Sequence, residues 1–300
     1  MTTSFLTAHA VDEAVAAMAG GARPVAGGTD LVVGARQGKA PLPESIVAIH
    51  RIAELHGIET PDGVLRLGAL TTHAEIAEHP VVRERLTALA DASAIVGSHA
   101  TRAQGTIGGN VMNASPAMET GGPLICFDAT VTLHGPSGVR WVAAADLFTG
   151  PGTTSAHADE LLTAIDVPLP AAGSGSSYVR LEYRQQMEIA VVGATAVVTL
   201  ADGALADAKV AITALAPTIH RVEAAEAALV GSDGGPAAVA AAAAAPAAAA
   251  APISDVRASE PYRRAMAAVI TRRAVEAALA RARGQSIPIP ASPALHGGLS

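Results

Sequence analysis

Apolar residues recur along the chain with two different periods, and these periods predict a mixture of short helices and strands. Near the N-terminus Val11, Val15 and Met18 recur at helical spacing and are followed by a pair of glycines that end the helix. Apolar runs that are bounded by glycine, proline or polar residues predict strands at 45–49, 124–133, 161–169, 190–200 and 208–215. Because helices and strands are mixed without a repeating unit, the predicted fold class is α+β.

Changes in composition divide the chain into three predicted units. Residues 1–56 predict a small α/β unit, and residues 57–170 predict a second unit in which strands and helices are combined. Residues 171–177 are small, polar and rich in glycine and serine, which is typical of a linker. Residues 178–285 then predict a third unit of strands followed by helices.

Three local signals predict how individual elements begin, turn or end. Thr72 is followed three residues later by Glu75, which predicts a capping box at the start of a helix. Ala201-Asp202-Gly203 predicts a hairpin turn between two strands. Residues 263–283 predict a long basic helix. We interpret it as a solvated helix whose arginines pair with neighbouring acids, with a docking surface for a partner subunit as the alternative.

Composition and charge exclude several function classes. The chain has 20 lysines and arginines against 27 acidic residues, a net charge of −7, and only one tryptophan, three tyrosines and three phenylalanines. Nucleic-acid binding needs a basic footprint or stacking aromatics, so we expect no nucleic-acid partner. The N-terminus does not resemble a signal peptide, and the apolar stretch 237–253 is mostly alanine and interrupted by prolines. We therefore expect a cytoplasmic protein without a membrane span.

Cysteine and histidine usage predicts no metal site in this chain. The single cysteine, Cys126, excludes a disulfide framework, a four-cysteine zinc site and a cysteine-ligated iron–sulfur cluster. It lies between Ile125 and Phe127, which predicts a buried apolar role. The ten histidines are scattered without ligand spacing, and no Gly-x-Ser-x-Gly motif is present, so we assign no catalytic residue and no metal ligand.

Two glycine loops carry the main chemical signal. Gly27-Gly28 and Gly108-Gly109 lie about 80 residues apart, and each pair is followed by a small polar residue. Consecutive glycines let backbone amides approach a ligand, and such amides favour phosphate. One loop alone is better explained as a tight turn, whereas two loops together strengthen the case for a diphosphate that is held from both sides. Neither a Walker loop nor a Rossmann fingerprint is present.

The two loops belong to a longer pattern that resembles one protein family. The segments that carry it are Ala26–Leu31, Thr106–Asn110 with Asn113–Pro116, Tyr178–Val192 and Ser254–Arg264. Their order and spacing are similar to those of the FAD-binding medium subunits of molybdenum hydroxylases, the family of xanthine dehydrogenase, aldehyde oxidase and carbon monoxide dehydrogenase. The resemblance implies a two-subdomain FAD-binding fold of the vanillyl-alcohol oxidase type, followed by a C-terminal domain with an antiparallel sheet and helices.

The resemblance also implies which residues contact the cofactor. The first loop is expected to donate backbone amides to the diphosphate, and Thr106, Gly109 and Asn110 are expected to hold its other side and the ribityl chain. Glu119 stands where the family usually has aspartate and is expected to accept hydrogen bonds from ribose hydroxyls. Arg180 stands where the family frequently has a lysine near the flavin. The implied cofactor-binding residues are Ala26, Gly27, Gly28, Thr29, Asp30, Leu31, Arg102, Thr106, Gly109, Asn110, Ser115, Glu119, Ile165 and Arg180.

The leading hypothesis is an FAD-carrying electron-transfer subunit of an oxidoreductase. The resemblance implies a small partner subunit with [2Fe-2S] clusters, a large partner subunit with a molybdenum cofactor, and a dimer of such heterotrimers. Electrons would then pass from the clusters through FAD to NAD, oxygen or a quinone. Thr29-Asp30 stands where carbon monoxide dehydrogenase subunits often have His-Ser, which weakens the case for carbon monoxide as substrate. Purines, aldehydes and N-heterocycles are the other substrate classes.

Two other hypotheses stay open at the level of sequence. The chain could be a self-contained flavin oxidase of the vanillyl-alcohol oxidase type, or a structural or assembly homologue that has lost flavin. Co-purification separates the first alternative from the leading hypothesis, because an oxidase works without partner subunits. Four positions that depart from the family pattern keep the second alternative open. Glu188 and Glu119 replace aspartates, Ala100 replaces a glutamine, and Arg180 replaces a frequent lysine.

Overall fold

The computed structural model describes residues 4–38, 40–184 and 186–294. Its strands are β1 (Ser4–Thr7), β2 (Arg23–Val25), β3 (Ser45–Ala48), β4 (Ile58–Glu59), β5 (Val64–Gly68), β6 (Thr130–Gly135), β7 (Gly138–Ala143), β8 (Phe148–Gly150), β9 (Thr153–Thr154), β10 (Leu161–Pro168), β11 (Ser174–Leu181), β12 (Val192–Ala201), β13 (Ala204–Thr213) and β14 (His220–Arg221). Its α-helices are α1 (Val11–Ala19), α2 (Thr29–Arg36), α3 (His73–Glu78), α4 (Pro80–Arg85), α5 (Thr87–Ala94), α6 (His99–Gln104), α7 (Ile107–Asn113), α8 (Gly121–Cys126), α9 (Ala144–Leu147), α10 (Glu223–Leu229), α11 (Pro236–Ala244), α12 (Pro246–Ala249), α13 (Glu260–Ala282) and α14 (Ala291–Ala294), and Ala53–Leu55 form a short 3-10 helix.

The N-terminal strands form a small parallel sheet in the order β1-β3-β2. The apolar stripe of α1 packs against this sheet, with Val11, Val15 and Met18 buried beside Val47 of β3. Helix α2 lies outside this core, because none of its residues is buried. The loop that leads into α2 is therefore available at the surface.

A five-stranded antiparallel sheet follows, in the order β4-β5-β10-β6-β7. The predicted strand at 124–133 is wrong in its first half, because Gly121–Cys126 form helix α8 and β6 begins at Thr130. All residues of α8 are buried, and a short run that is apolar on every side cannot be assigned to helix or strand by its period. Cys126 is buried, which confirms its predicted packing role.

The third sheet is antiparallel, in the order β11-β12-β13-β14, and it is covered on both faces. Val179 and its same-face neighbours pack in a core with α13, whereas Tyr178 packs in the core of the five-stranded sheet and its helices. The predicted hairpin at Ala201-Asp202-Gly203 is confirmed, since it joins β12 to β13. The predicted division into units at residues 56, 170 and 178 stays a prediction.

The linker prediction for 171–177 is wrong for its second half, because β11 begins at Ser174. A Cβ on Gly175 would lie 2.2 Å from the carbonyl oxygen of Ala278 in α13, so only glycine allows this close approach. Ser177 donates a hydrogen bond of 2.7 Å to the carbonyl of Ala274. The small residues therefore let a helix lie directly on the strand and do not provide flexibility.

The interpretation of the basic helix as solvated is also wrong in part. Helix α13 begins after Ser259, whose side chain accepts a hydrogen bond from the amide of Tyr262. Its apolar residues lie in the core of the third sheet, and Arg263 is only 3% exposed. The prediction that its arginines pair with acids holds for Arg263, which contacts Asp255 at 2.7 Å. Within residues 4–38, 40–184 and 186–294, no helix is long and apolar enough to cross a membrane.

Candidate functional site

The two glycine loops meet in space although they are far apart in sequence. A Cβ on Gly27 would lie 1.9 Å from the carbonyl oxygen of Gln104, so the first loop rests directly on the backbone of the second. A Cβ on Gly105 would lie 3.5 Å from the Thr29 hydroxyl oxygen. We call the backbone of residues 26–31 and 104–110 the paired loops.

The first loop places the start of α2 at the surface without a capping side chain. Gly28 is the N-cap residue, and its φ of 69° is a left-handed conformation that glycine adopts without strain. No side chain caps the helix there, and the first amides of a helix have no partner within the helix. Ala26 and Leu31 are half-buried and Asp30 is exposed, so this loop forms an open, amide-lined surface.

The second loop is fixed by backbone hydrogen bonds to the segment that precedes α3. The amide of His73 donates to the Gly105 carbonyl at 3.1 Å, and the amide of Ile107 donates to the Thr71 carbonyl at 2.9 Å. The Thr106 side chain caps α7 by accepting a hydrogen bond of 3.1 Å from the Gly109 amide. This loop is therefore rigid before any ligand binds, and the Gly109 amide already has an acceptor.

Behind the second loop, polar side chains connect the predicted residues. The Thr120 hydroxyl donates to the Asn110 side-chain oxygen at 2.6 Å. Ser115 is half-buried, and its hydroxyl accepts a hydrogen bond of 3.3 Å from the Ala117 amide. Glu119 follows in a buried position, 6% exposed, beside Thr120. Thr120 thus links Asn110 of the second loop to the segment of residues 115–120, which holds Ser115 and Glu119.

Glu119 belongs to a buried cluster of charges. Its carboxylate accepts a hydrogen bond from Nη1 of Arg180, and Nε of Arg180 donates to Oε2 of Glu182 at 2.5 Å. Burial raises the pKa of Glu119 to about 7, although the Arg180 charge acts in the opposite direction. Arg180 is fully buried, so this structure leaves no surface of its side chain for a direct contact with a ligand.

Two other predicted residues have buried side chains. Arg102 in α6 is 9% exposed, and its Nη1 donates to the Val96 carbonyl at 3.0 Å. Ile165 lies in β10, is fully buried, and pairs with Leu67 and Val131 on the two neighbouring strands. The structure therefore places the Ile165 side chain in the apolar core and does not bring it to the paired loops.

The sequence analysis missed three residues that shape this region. Thr120 orients Asn110, Glu182 holds Arg180, and His73 is 1% exposed beneath the second loop. Burial lowers the pKa of His73 to about 4, with a further contribution from Arg102, so its imidazole is neutral near pH 7. Glu182 directly follows the last residue of β11, and its spacing of two residues from Arg180 is the signal that could have pointed to it.

Comparison with known proteins assigns the family. Residues 1–170 match the family model described as "FAD binding domain in molybdopterin dehydrogenase". The chain belongs to this family of molybdenum hydroxylase FAD-binding medium subunits. Residues 177–278 match the "CO dehydrogenase flavoprotein C-terminal domain". The resemblance and the assignment to an oxidoreductase component are confirmed, as is the mixed helix-and-sheet fold with two successive family domains.

Relatives of this family are similar to the chain over most of its length. The carbon monoxide dehydrogenase medium chain of Afipia carboxidovorans is 35% identical over 262 residues, which cover 87% of this chain and 90% of that protein. A putative xanthine dehydrogenase FAD-binding subunit of Escherichia coli is 31% identical over 266 residues, which cover 88% of this chain and 91% of that protein.

Solved structures of the family share the fold. A chain of carbon monoxide dehydrogenase from Hydrogenophaga pseudoflava superposes with a TM-score of 0.90 at 34% identity, covering 94% of this chain and 98% of that chain. A chain of quinoline 2-oxidoreductase from Pseudomonas putida superposes with a TM-score of 0.87 at 27% identity, covering 95% and 98%. The chain therefore shares the family fold over 94–95% of its length.

Proposed function

We propose that this medium subunit binds one FAD across the paired loops and acts as the electron-transfer subunit of a molybdenum hydroxylase. The observation that carries the proposal is the direct contact between Gly27 and the Gln104 backbone. This contact brings together the two loops that the family pattern associates with the cofactor. The cofactor, when bound, accepts and releases electrons singly or as a hydride.

The residues of the paired loops fit a diphosphate. At Gly28 the backbone is left-handed, and a Cβ would meet only the side chains of Val25 and Val32, at 3.6 and 3.7 Å. At Gly109 a Cβ would meet only the Thr106 hydroxyl, at 3.0 Å, on an exposed surface. Both glycines therefore leave space for a ligand beside the backbone. The Gly109 amide is bonded to the Thr106 hydroxyl, whereas the uncapped start of α2 supplies amides that favour an anion.

The polar region behind the second loop fits a chain of hydroxyl groups. Asn110, Ser115 and Glu119 supply amide, hydroxyl and carboxylate groups that exchange hydrogen bonds with a polyol. We assign them to the sugar and ribityl hydroxyls, and Ala26, Thr29, Asp30, Leu31 and Arg102 to the surroundings of the diphosphate. The Ile165 side chain is fully buried, so we assign it no direct contact with the cofactor. Arg180 is also buried, and we assign it an indirect role through its hydrogen bond to Glu119.

The proposal extends to the assembly. We propose a small [2Fe-2S] subunit as electron donor, a large subunit with the molybdenum cofactor as the site of substrate oxidation, and a dimer of heterotrimers. NAD, oxygen or a quinone is the proposed acceptor. The two-subdomain arrangement of the vanillyl-alcohol oxidase type, with units at 1–56, 57–170 and 178–285, is part of the same proposal. The names of the relatives as medium chain and FAD-binding subunit support it.

The first test is an FAD titration of the purified chain, with the bound flavin then released by heat and identified. We expect about one FAD per chain and no retention of FMN, because the diphosphate is the recognised group. The proposal is contradicted if the folded chain does not bind FAD at saturating concentration, either alone or with its co-expressed partner subunits. Co-purification of cluster and molybdenum subunits supports the electron-transfer role, whereas turnover of an organic substrate by the isolated chain supports a flavin oxidase.

A glycine variant tests the paired loops directly. Gly109→Val adds side-chain atoms to an exposed surface where only the Thr106 hydroxyl is near, so the fold should survive while FAD binding is lost. The matched control is Gly34→Ala in α2, where a Cβ would meet no atom within 4 Å. The control should retain FAD. Retained FAD in both Gly109→Val and Gly28→Val, at wild-type affinity, rules out the assignment of the loops.

A further inference from the structure

Three buried hydroxyl groups of the third sheet have no part in the proposed cofactor site: those of Tyr178, Thr195 and Thr213. They come from the three neighbouring strands β11, β12 and β13. Each of these residues is 0% exposed, and none of the three hydroxyl oxygens has a hydrogen-bond partner within the part of the chain that the structure describes. A buried hydroxyl without a partner is costly, so three of them in one region indicate a further polar group between them.

The strand register places the three side chains on one face of the sheet. Tyr178 pairs with Thr195, and Thr213 pairs with Gly193, which stands two residues before Thr195 on the same strand. Positions that pair across strands, or that lie two residues apart on one strand, share a face of the sheet. Helix α8 covers this face, because its residue Gly122 lies against the side chains of Thr195 and Thr213.

Two glycines allow the three hydroxyls to come together. A Cβ on Gly122 would lie 2.5 Å from the Thr195 hydroxyl oxygen and 3.5 Å from the Thr213 hydroxyl oxygen. A Cβ on Gly193 would lie 2.8 Å from the Tyr178 hydroxyl oxygen and 3.1 Å from Cβ of Thr213. The Thr213 side chain is therefore next to both glycines, and another hydroxyl is next to each of them. We call the region bounded by these three hydroxyls and two glycines the hydroxyl pocket.

The chemistry of the hydroxyl pocket fits a water molecule. A hydroxyl both donates and accepts, so three hydroxyls offer donors and acceptors to one ligand. An internal water typically makes about three hydrogen bonds to buried polar groups that otherwise lack partners. A larger ligand does not fit, because even a methyl group on either glycine would collide with a hydroxyl oxygen. An anion is not favoured, because the guanidinium of Arg180, which stands opposite Gly193, is already bonded to two carboxylates.

We infer that the hydroxyl pocket is a buried water site, in which one water molecule bridges the hydroxyls of Tyr178, Thr195 and Thr213. The site lies where the two family domains meet, since α8 belongs to residues 1–170 and the three hydroxyls belong to residues 177–278. It also lies beside the strand position of Arg180, the residue that bonds Glu119. This inference goes beyond the proposed function and does not depend on FAD binding.

The first test counts internal water molecules in the folded full chain by magnetic relaxation dispersion of the solvent water. The double variant Thr195→Val/Thr213→Val keeps the shape of both side chains and leaves the pocket with one hydroxyl. We expect it to hold one long-lived water molecule fewer than the wild type. The matched control is Thr199→Val on the same strand, because the Thr199 hydroxyl already bonds Ser174 at 2.7 Å. This control should keep the wild-type count, and equal counts in the wild type and the double variant overturn the inference.

The midpoint of thermal unfolding gives an independent measurement with opposite signs for the two cases. If a water bonds the Thr195 hydroxyl, Thr195→Val removes one of its partners and should lower the midpoint by about 2 °C. If the hydroxyl has no partner, the same substitution removes an unpaired buried polar group and should raise the midpoint. Thr213→Val should also lower it, and the two losses should not be additive, since both hydroxyls bond the same water. A raised midpoint in either single variant, or additive losses in the double variant, overturns the inference.

Discussion

Asp91 of α5 lies at a buried junction and offers a sharp test of how the chain is held together. Its carboxylate is 0% exposed and accepts hydrogen bonds from Arg281 of α13, at 2.6 Å from Nη1 and 3.0 Å from Nη2. It also accepts hydrogen bonds from the amides of Tyr178, at 3.2 Å, and Ala291, at 3.0 Å. One side chain therefore connects α5 to β11, to α13 and to the first residue of α14.

The substitution Asp91→Asn keeps the shape of this side chain but removes its charge. The Arg281 side chain is only 7% exposed, so the variant leaves a buried cation without its partner. Breaking a buried ion pair in this way costs about 3–5 kcal/mol of unfolding free energy. The matched control is Asp166→Asn, because Asp166 and its partner Arg66 are 25% and 42% exposed. An exposed pair of this kind contributes about 0–1 kcal/mol.

The assay is denaturant unfolding followed by far-UV circular dichroism, together with amide hydrogen exchange read by mass spectrometry. We expect a lower unfolding midpoint for Asp91→Asn. Because asparagine keeps one acceptor oxygen, exchange should become faster at the one amide, of Tyr178 or Ala291, that then faces the new NH2 group. Asp166→Asn should stay close to the wild type in both measurements. If the two variants lose equal stability, the argument that Asp91 joins these elements through a buried charge is refuted.

Three further predictions follow from the same structure. Hydrogen bonds from Arg140 hold the pKa of Glu160 at about 2, below its ordinary value of 4.5. The pair therefore stabilises the fold fully above pH 4.5. This stabilisation is lost as the pH falls toward 2. Glu160→Gln should therefore remove about 1–3 kcal/mol near pH 7 and flatten the acid limb of stability measured by denaturant titration. Burial raises the pKa of the Cys126 thiol. Alkylation of this thiol should therefore be far slower in the native protein than in denaturant. Equal alkylation rates would contradict the buried position of Cys126. A Cβ on Gly68 would lie 2.4 Å from the Leu55 carbonyl oxygen. Gly68→Ala should therefore lower the midpoint of thermal unfolding by several degrees. An unchanged midpoint would show that the backbone relaxes freely.

Local signals in the sequence predicted local structure well. The capping box is present as predicted, since the Thr72 hydroxyl accepts from the Glu75 amide and the Glu75 carboxylate accepts from the Thr72 amide. The turn at Asp202-Gly203 has a positive φ at both residues, 51° and 81°. These features depend on a few consecutive residues, so their chemistry is fully contained in the local sequence.

Predictions that depended on distant contacts were less successful. Small residues at 174–177 indicated a linker, but their small size allows α13 to lie on β11 about 100 residues later in the chain. The arginines of α13 indicated a solvated face, whereas Arg281 reaches a partner on α5. In both cases the composition of the segment was compatible with two structures, and only the packing partner decides between them.

The candidate site shows the same contrast between features that local sequence determines and features that depend on distant contacts. The glycine pairs and their preference for phosphate follow from backbone chemistry and were predicted, together with the family. The contact of Gly27 with the Gln104 carbonyl, and the burial of Arg180 between two carboxylates, depend on the meeting of segments far apart in sequence. The assignment of Arg180 to the flavin considered its charge but not the acid two residues later, Glu182, which lies just past the end of β11.

Strand β11 explains why charge pairs, and not only apolar contacts, lie beside the candidate site. Successive side chains point to opposite faces of a strand, so Val179 packs in the α13 core while Tyr178 and Arg180 face the helices of residues 57–170. A slip of one residue would place Arg180 against the apolar core of α13 and leave Glu119 unpaired. Buried ion pairs add little net stability but strongly disfavour such alternatives. The contact with Arg180 thus fixes the register that keeps Glu119 beside the paired loops.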